Sequence, residues 1–218
     1  AILDPILTSN LPSKTTASTG IDAMVHAIEA FTSKSKNNNP ISKALAEKSL
    51  MLLSDSIIKA VENGKNDAVA RNQMLLGSLM AGMSFANSPV AAVHALAYPL
   101  GGIYKITHGL SNALILPYVI RFNMKDDETR DSYLHLSDII FPQLKHIKYL
   151  EDKTLAFVNE FINLSKRFNL PTRIRDLGIP KKACKTMSIE AMKQERLLIN
   201  NPIPIKQEDA QKIYEQAW

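Results

Sequence analysis

His94 and His108 are separated by mostly apolar sequence, and on one straight helix they would stand ~21 Å apart at a rise of about 1.5 Å per residue. They can serve one site only if the chain reverses between them. Pro99 and the pair Gly101-Gly102 predict that break, with Thr107-His108-Gly109 opening the next helix. Upstream, Asp22 and His26 are spaced i, i+4, so both project from one face of a helix. Only five histidines occur in the chain, and these three lie in apolar, small-residue stretches. The runs Ala91-Ala92-Val93 and Ala95-Leu96-Ala97 disfavour an imidazolium at His94 and leave the neutral ring that a metal ion binds. Taken singly, His94 or His108 reads rather as a core histidine bonded to a backbone carbonyl. Taken together with Asp22 and His26, they predict a four-ligand metal site drawn from three helices. His135 and His146, in more polar sequence, read as surface residues without a role.

The rest of the pattern is helical. Ala1–Thr19 reads as extended or loop-like because Pro5 and Pro12 interrupt it, and a helix is expected from Gly20 to Phe31. Asn39 is placed to cap a helix with Pro40 in its first turn, running through Ala44–Val61 and stopping at Asn63-Gly64. Asp67–Ala86 is expected to be a helix too apolar to be exposed, followed by Pro89–Leu100 and Gly109–Phe122. Beyond Met124 the sequence becomes more polar, with amphipathic helices at Lys153–Phe168 and Glu208–Ala217. No β-alternation of useful length occurs, so the fold class is all-α. The domain reading is a junction segment over residues 1–19 and a helical metal-binding domain over 20–218.

Composition narrows the function classes. Apolar residues make up 45% and charged residues 22%, the balance of an ordinary globular protein. No apolar run reaches the roughly 18–20 residues that span a bilayer, so no membrane partner is expected. The N-terminus shows no basic region followed by an apolar one, so no signal peptide is expected, and the missing initiator Met suggests a fragment or processed piece. Cys184 is the lone cysteine, which suits a reducing, cytoplasmic location. The net charge of +5 is scattered. Arg173 and Arg175, and Lys181, Lys182 and Lys185, lack interleaved aromatics and read as solvated helix faces rather than a nucleic-acid patch. One carboxylate and three imidazoles suit a borderline divalent ion. Catalytic zinc typically keeps three protein ligands, whereas Fe(II) accommodates four plus a substrate oxygen. Fe(II) is therefore the first choice and Zn(II) the alternative, acting as a Lewis acid on a carbonyl or alkoxide.

The residues around these ligands carry a resemblance. Asp4-Pro5, Leu7-Thr8, Leu11-Pro12 and the run from Thr16 through Gly20-Ile21-Asp22-Ala23-Met24-Val25-His26 to Ala30 closely resemble the first signature of the iron-containing (group III) alcohol dehydrogenases. Val93-His94 through Gly101-Gly102, and then His108-Gly109-Leu110-Ser111-Asn112-Ala113, resemble the second. Asn200-Asn201-Pro202, Glu208-Asp209 and Ala217-Trp218 resemble the family's C-terminus.

The resemblance implies that Asp22, His26, His94 and His108 ligate the metal. It implies the helical C-terminal domain of the dehydroquinate synthase-like fold. It also implies an NAD or NADP cofactor held mainly by an N-terminal nucleotide-binding domain. The glycine-rich turn that cradles the pyrophosphate has no counterpart here. The resemblance gives Thr8 and Leu11 as minor cofactor contacts, or equally as hinge and packing residues, and a small alcohol or aldehyde as substrate of an oxidoreductase. The apolar helices of 67–122 and the last helix leave a surface for a homo-oligomer. Tyr98 stands where many members carry a histidine, one turn after His94; with Phe85 it is a candidate to line the substrate pocket. Lys206 stands where the family usually carries a Thr that caps the last helix. Two other readings remain open: a zinc polyol dehydrogenase or dehydroquinate synthase-like enzyme, and a helical metal-binding or oligomerisation module with no catalysis of its own.

Overall fold

The computed structural model describes residues 2–218, and among them there are helices and turns but no strand. The first helix, α1 (Ser13–Thr32), is buried nearly all round, from Thr16 to Phe31. A helix apolar on every side belongs at the centre of a bundle. Here α2 (Pro40–Asn63), α3 (Ala68–Asn87) and α5 (His108–Asn123) enclose it, with α6 (Asp127–Ile140) on the remaining flank. α5 is equally buried and is the second central helix. It carries α4 (Ala92–Tyr104), α7 (Leu150–Arg167) and α10 (Gln207–Ala217), while the short α8 (Ala183–Met192) and α9 (Glu195–Leu198) pack beside α4.

The expected cap at Asn39 is in place, and Asp67 caps α3 in the same way. Asn39 Oδ1 accepts the N–H groups of Ile41 and Ser42, both at 3.0 Å, and Asp67 Oδ1 accepts that of Ala70 at 2.8 Å. Three expectations are corrected. α1 begins at Ser13 rather than Gly20, because Pro12 sits at the N-cap, where a missing N–H removes no helical bond. A 3₁₀ turn also occupies Pro5–Thr8 within the stretch read as loop-like. α4 does not break at Pro99–Gly102 but continues to Tyr104. The burial of Ala92–Ala97 and of Leu100 outweighs the lost bond at Pro99, and the reversal falls at Lys105, which takes the left-handed conformation at φ 58°. Lys105 N–H then closes on Gly101 O at 3.1 Å and Ile106 N–H on Leu100 O at 3.2 Å.

α3 is the third correction, because its large apolar residues are not all buried. It packs on α1 and α2 through Ala70, Gly77, Ala81 and Ser84, a stripe of small residues, while Val69, Leu76, Met83 and Phe85 remain exposed. Small residues let helix axes approach closely and push the bulky side chains outward. Three elements of the polar C-terminal part, α6, α8 and α9, were not foreseen individually.

Candidate metal centre

Asp22 and His26 project from α1, His94 from the third residue of α4, and His108 from the first residue of α5. One ligand atom from each of the four lies within 4.8 Å of all the others. Asp22 Oδ1 is 3.9 Å from His94 Nε2 and 3.7 Å from His108 Nε2. The Nε2 atoms of His26 and His94 face each other at 3.2 Å. The short loop at Lys105–Thr107 brings α5 back alongside α4 and places His108 over Asp22. Gly109 makes that return possible: a Cβ there would lie 2.6 Å from Ser18 O, against the backbone of α1.

Proton positions can be assigned from the ring partners. His26 Nδ1 donates to Asp22 O, one turn back on α1, at 2.8 Å. His94 Nδ1 lies 2.6 Å from the carboxylate of Glu29. With both Nδ1 atoms committed as donors, the two facing Nε2 atoms carry lone pairs and no proton between them. Burial and then charge repulsion from the adjacent His94 hold His26 below its ordinary pKa, which favours the neutral ring. Asp22 Oδ1 accepts from the amide of buried Asn112 at 2.5 Å, and the same nitrogen lies 3.1 Å from His108 Nε2. One charged oxygen and converging unprotonated imidazole nitrogens are a donor set that fits Fe(II).

The centre is layered from core to rim. His94 is buried, Asp22 and His26 are half-buried, and His108 is exposed. On the His108 side lies a cleft of about 520 Å³, lined by Lys14, Thr15, Ser18 and Thr19 of α1, by Asp22 and His108, and by Leu170 and Pro171. Phe85 of α3 packs its ring on His26, with centroids 4.8 Å apart. Tyr98 is half-exposed on α4, one turn beyond His94. Thr8 and Leu11 line a separate cavity of about 120 Å³ with Arg71 and Thr19, and Thr19 also lines the metal cleft. There Thr8 Oγ1 donates to Pro5 O at 2.9 Å, and Leu11 O accepts from the buried Arg71 guanidinium. His135 is exposed and pairs with Glu47 at 2.6 Å, far from the cluster in sequence and outside it in space; His146 is exposed.

Two buried residues around the cluster, Glu29 and Asn112, were not singled out from sequence. The signal for Glu29 was available. A carboxylate three residues after His26, on the same stripe of an otherwise apolar helix, needs a buried partner. Asn112 follows His108 by one turn and points to the same face.

The sequence and the fold both match known proteins. A sequence model described as "Fe-containing alcohol dehydrogenase family, C-terminal" matches residues 16–218. Long-chain-alcohol dehydrogenase 1 of Geobacillus thermodenitrificans is 40% identical over 220 residues, covering 100% of this chain and 54% of that protein. The crystal structure of a 1,3-propanediol oxidoreductase superposes with a TM-score of 0.90 at 32% identity, covering 99% of this chain and 55% of that one. A sulfoacetaldehyde reductase from Bifidobacterium kashiwanohense, solved in complex with NAD+, superposes at 0.84 with 28% identity, covering 100% and 54%. The chain therefore spans about half the length of the relatives it matches.

Proposed function

The chain belongs to the Fe-containing alcohol dehydrogenase family, and on that premise we propose that it forms the metal-holding half of an NAD(P)-dependent alcohol dehydrogenase. The observation that carries the reading is the convergence of four ligand atoms within 4.8 Å, two of them imidazole nitrogens stripped of protons by their own partners. In this reading Asp22, His26, His94 and His108 hold Fe(II). When bound, the ion supplies Lewis acidity toward a substrate oxygen, and a nicotinamide supplies or takes up hydride.

The chain's own residues do the positioning. Asn112 orients the Asp22 carboxylate, and the peptide carbonyl of Asp22 orients His26. Phe85 packs on the His26 ring, and Tyr98, half-exposed one turn beyond His94, is the pocket residue of this reading. The cleft beside His108 admits a small alcohol or aldehyde. Ser18 and Thr19 donate their hydroxyls back to Thr15 O, at 3.2 and 2.8 Å, and so present oxygen lone pairs along that wall. Thr8 and Leu11, on the adjoining cavity, are proposed to touch the cofactor, which is held mainly by a nucleotide-binding domain outside these residues. Of the residues 1–19 read as a junction toward it, those ahead of α1 keep that role in this reading, while Ser13–Thr19 belong to α1 itself. The buried lone thiol of Cys184 suits a cytoplasmic enzyme, and the exposed apolar residues of α3 suit a homo-oligomer.

The test is anaerobic Fe(II) loading of the full-length protein, wild type and His94→Ala, with metal content and alcohol-dependent reduction of NAD or NADP both measured. Stoichiometric iron and reduction in the wild type, with both lost in the variant, is the expected result. Equal iron in the variant, or a loaded wild type inert toward a series of primary alcohols, would overturn the reading.

A further inference from the structure

α4, the helix that carries His94, begins at Ala91-Ala92-Val93 and has no side chain of its own to cap it. A helix start leaves N–H groups without partners, and leaving them unsatisfied in a core is strongly unfavourable. The partner comes from α1. Glu29 Oε2 accepts from Ala91 N–H at 3.0 Å, and Oε1 accepts from Val93 N–H at 2.6 Å. The third group on this carboxylate is His94 Nδ1, 2.6 Å from Oε2. Peptide N–H groups can only donate, so both oxygens are already acceptors, and the imidazole meets them through a protonated Nδ1.

His94 cannot fix its ring as His26 does. His26 uses the carbonyl four residues back on its own helix. For His94 that position is Val90, which precedes α4 and whose carbonyl accepts instead from Asn200 Nδ2 at 3.1 Å. A histidine in the first turn of a helix has no helical carbonyl behind it, so its tautomer must be set from elsewhere. We propose that Glu29 is a positioning residue that locks His94 in the Nδ1–H tautomer and so turns an unprotonated Nε2 toward Asp22 and His26. The same carboxylate closes the N-terminus of α4, so the place of the helix and the direction of the lone pair are fixed by one group. The geometry stands on its own, and its consequence for metal binding rests on the iron-site reading above.

Replacing Glu29 by Gln separates these roles from mere packing, because the side chain keeps its size and loses one acceptor. If the amide oxygen serves Ala91 N–H and His94, the amide NH2 confronts Val93 N–H. If it serves Val93 N–H, the NH2 confronts Ala91 N–H and can donate to His94 Nδ1, moving the ring proton to Nε2, where it blocks ligation.

The test uses the full-length protein stripped of metal. In the wild type, long-range 1H–15N correlation of the histidine ring nitrogens is expected to show His94 protonated at Nδ1 and bare at Nε2. The opposite tautomer overturns the proposal without any variant. Glu29→Gln is then expected to weaken Co(II) binding, read from its visible spectrum, by about 10–100-fold, the range for hydrogen-bond partners of metal ligands. In a His94→Ala background only weak residual Co(II) binding by the other three ligands is expected, and the same substitution should leave that residual affinity unchanged while still lowering the melting temperature. An equal loss of affinity in both backgrounds would make Glu29 a structural cap and overturn the proposal. A correct tautomer in a metal-loaded protein that reduces no cofactor would instead overturn the enzyme reading alone.

Discussion

Two polar clusters are set into this helical core, one wholly buried and one running from core to rim, and they are built on opposite principles. At one end, Asn123 and Asn201 exchange amide bonds at 3.1 and 2.7 Å, Asn123 also donates to Tyr133 Oη at 3.1 Å, and Asn201 donates to Ile203 O at 2.7 Å. Both asparagine amides find acceptors there, and the knot ties the segment before α10 to the end of α5. At the other end, Asp22, His26, His94 and His108 bring acceptors together with no donors between the facing His26 and His94 nitrogens. A satisfied network holds a fold together. A cluster of lone pairs aimed at one point is held in place by the fold around it and is completed by a cation. The complementarity of donors and acceptors, more than burial or residue type, separates the two.

The largest effects should fall on opposite readouts. Asp22→Asn removes the one charged oxygen of the cluster while leaving an amide oxygen for Asn112 to bond. Fe(II) affinity measured by competition with a chelator should fall by more than about 100-fold, beyond the ~10–100-fold typical of residues that only support ligands. The urea midpoint of the metal-free protein should move by no more than about 0.5 kcal/mol equivalent. Asn201→Ala should do the reverse. It strands the Asn123 amide in the core, at about 1–3 kcal/mol of stability in urea denaturation, with iron bound per folded chain unchanged. A common loss of metal and stability in either variant would erase the distinction.

Gly109→Ala links the two regions. A Cβ 2.6 Å from Ser18 O would force α5 away from α1. Overpacking of this kind typically destabilises by about 1–3 kcal/mol, and it displaces His108 as well. Denaturation and Fe(II) affinity should both suffer here, and a loss in only one would show that the α1–α5 approach is not what sets the site.

Acid should distinguish the clusters next. His26 has a folded pKa depressed below its ordinary value, chiefly by burial and then by His94. Below about pH 6.5 the unfolded chain takes up a proton that the folded chain refuses. Stability of the metal-free protein is therefore full above that pH and falls as pH drops toward the folded pKa, by up to about 1.4 kcal/mol per pH unit for this group. His26→Gln should flatten that limb in urea titrations at several pH values, whereas Asn201→Ala should shift the whole curve without changing its slope.

How much of this could be read from the sequence follows the range of the interactions. Asn39 and the i, i+4 spacing of Asp22 and His26 act within one turn, and their roles were legible. The approach of His94 and His108 was legible as a requirement for a reversal, but its place was misread, because the fate of Pro99 depends on what α4 buries rather than on Pro99 itself. Glu29 was hidden for a related reason. Its partners lie more than sixty residues away, at a helix start whose lack of a cap is the only local sign that one must come from elsewhere. The outward face of α3 was misread because apolar content does not tell which side of a helix its small residues form.

The smallest expected effect lies at the structural end. Lys206 is the N-cap of α10, in extended backbone at φ −93° and ψ 165°. Asp209 Oδ2 accepts its N–H at 3.2 Å, which completes one half of a capping box. Lysine offers no acceptor for the return bond, so the N–H at Asp209 lacks a side-chain cap. Threonine has the missing oxygen, and Lys206→Thr should stabilise the protein by about 0.5–1 kcal/mol in urea. α10 is tied to α4, the helix of His94, by Tyr214, whose hydroxyl donates to Leu96 O at 2.6 Å. If the two regions are as separate as their chemistry indicates, this gain will leave Fe(II) affinity where it was. A parallel rise in affinity would show instead that the bond from Tyr214 to α4 transmits the firmness of the last helix to His94.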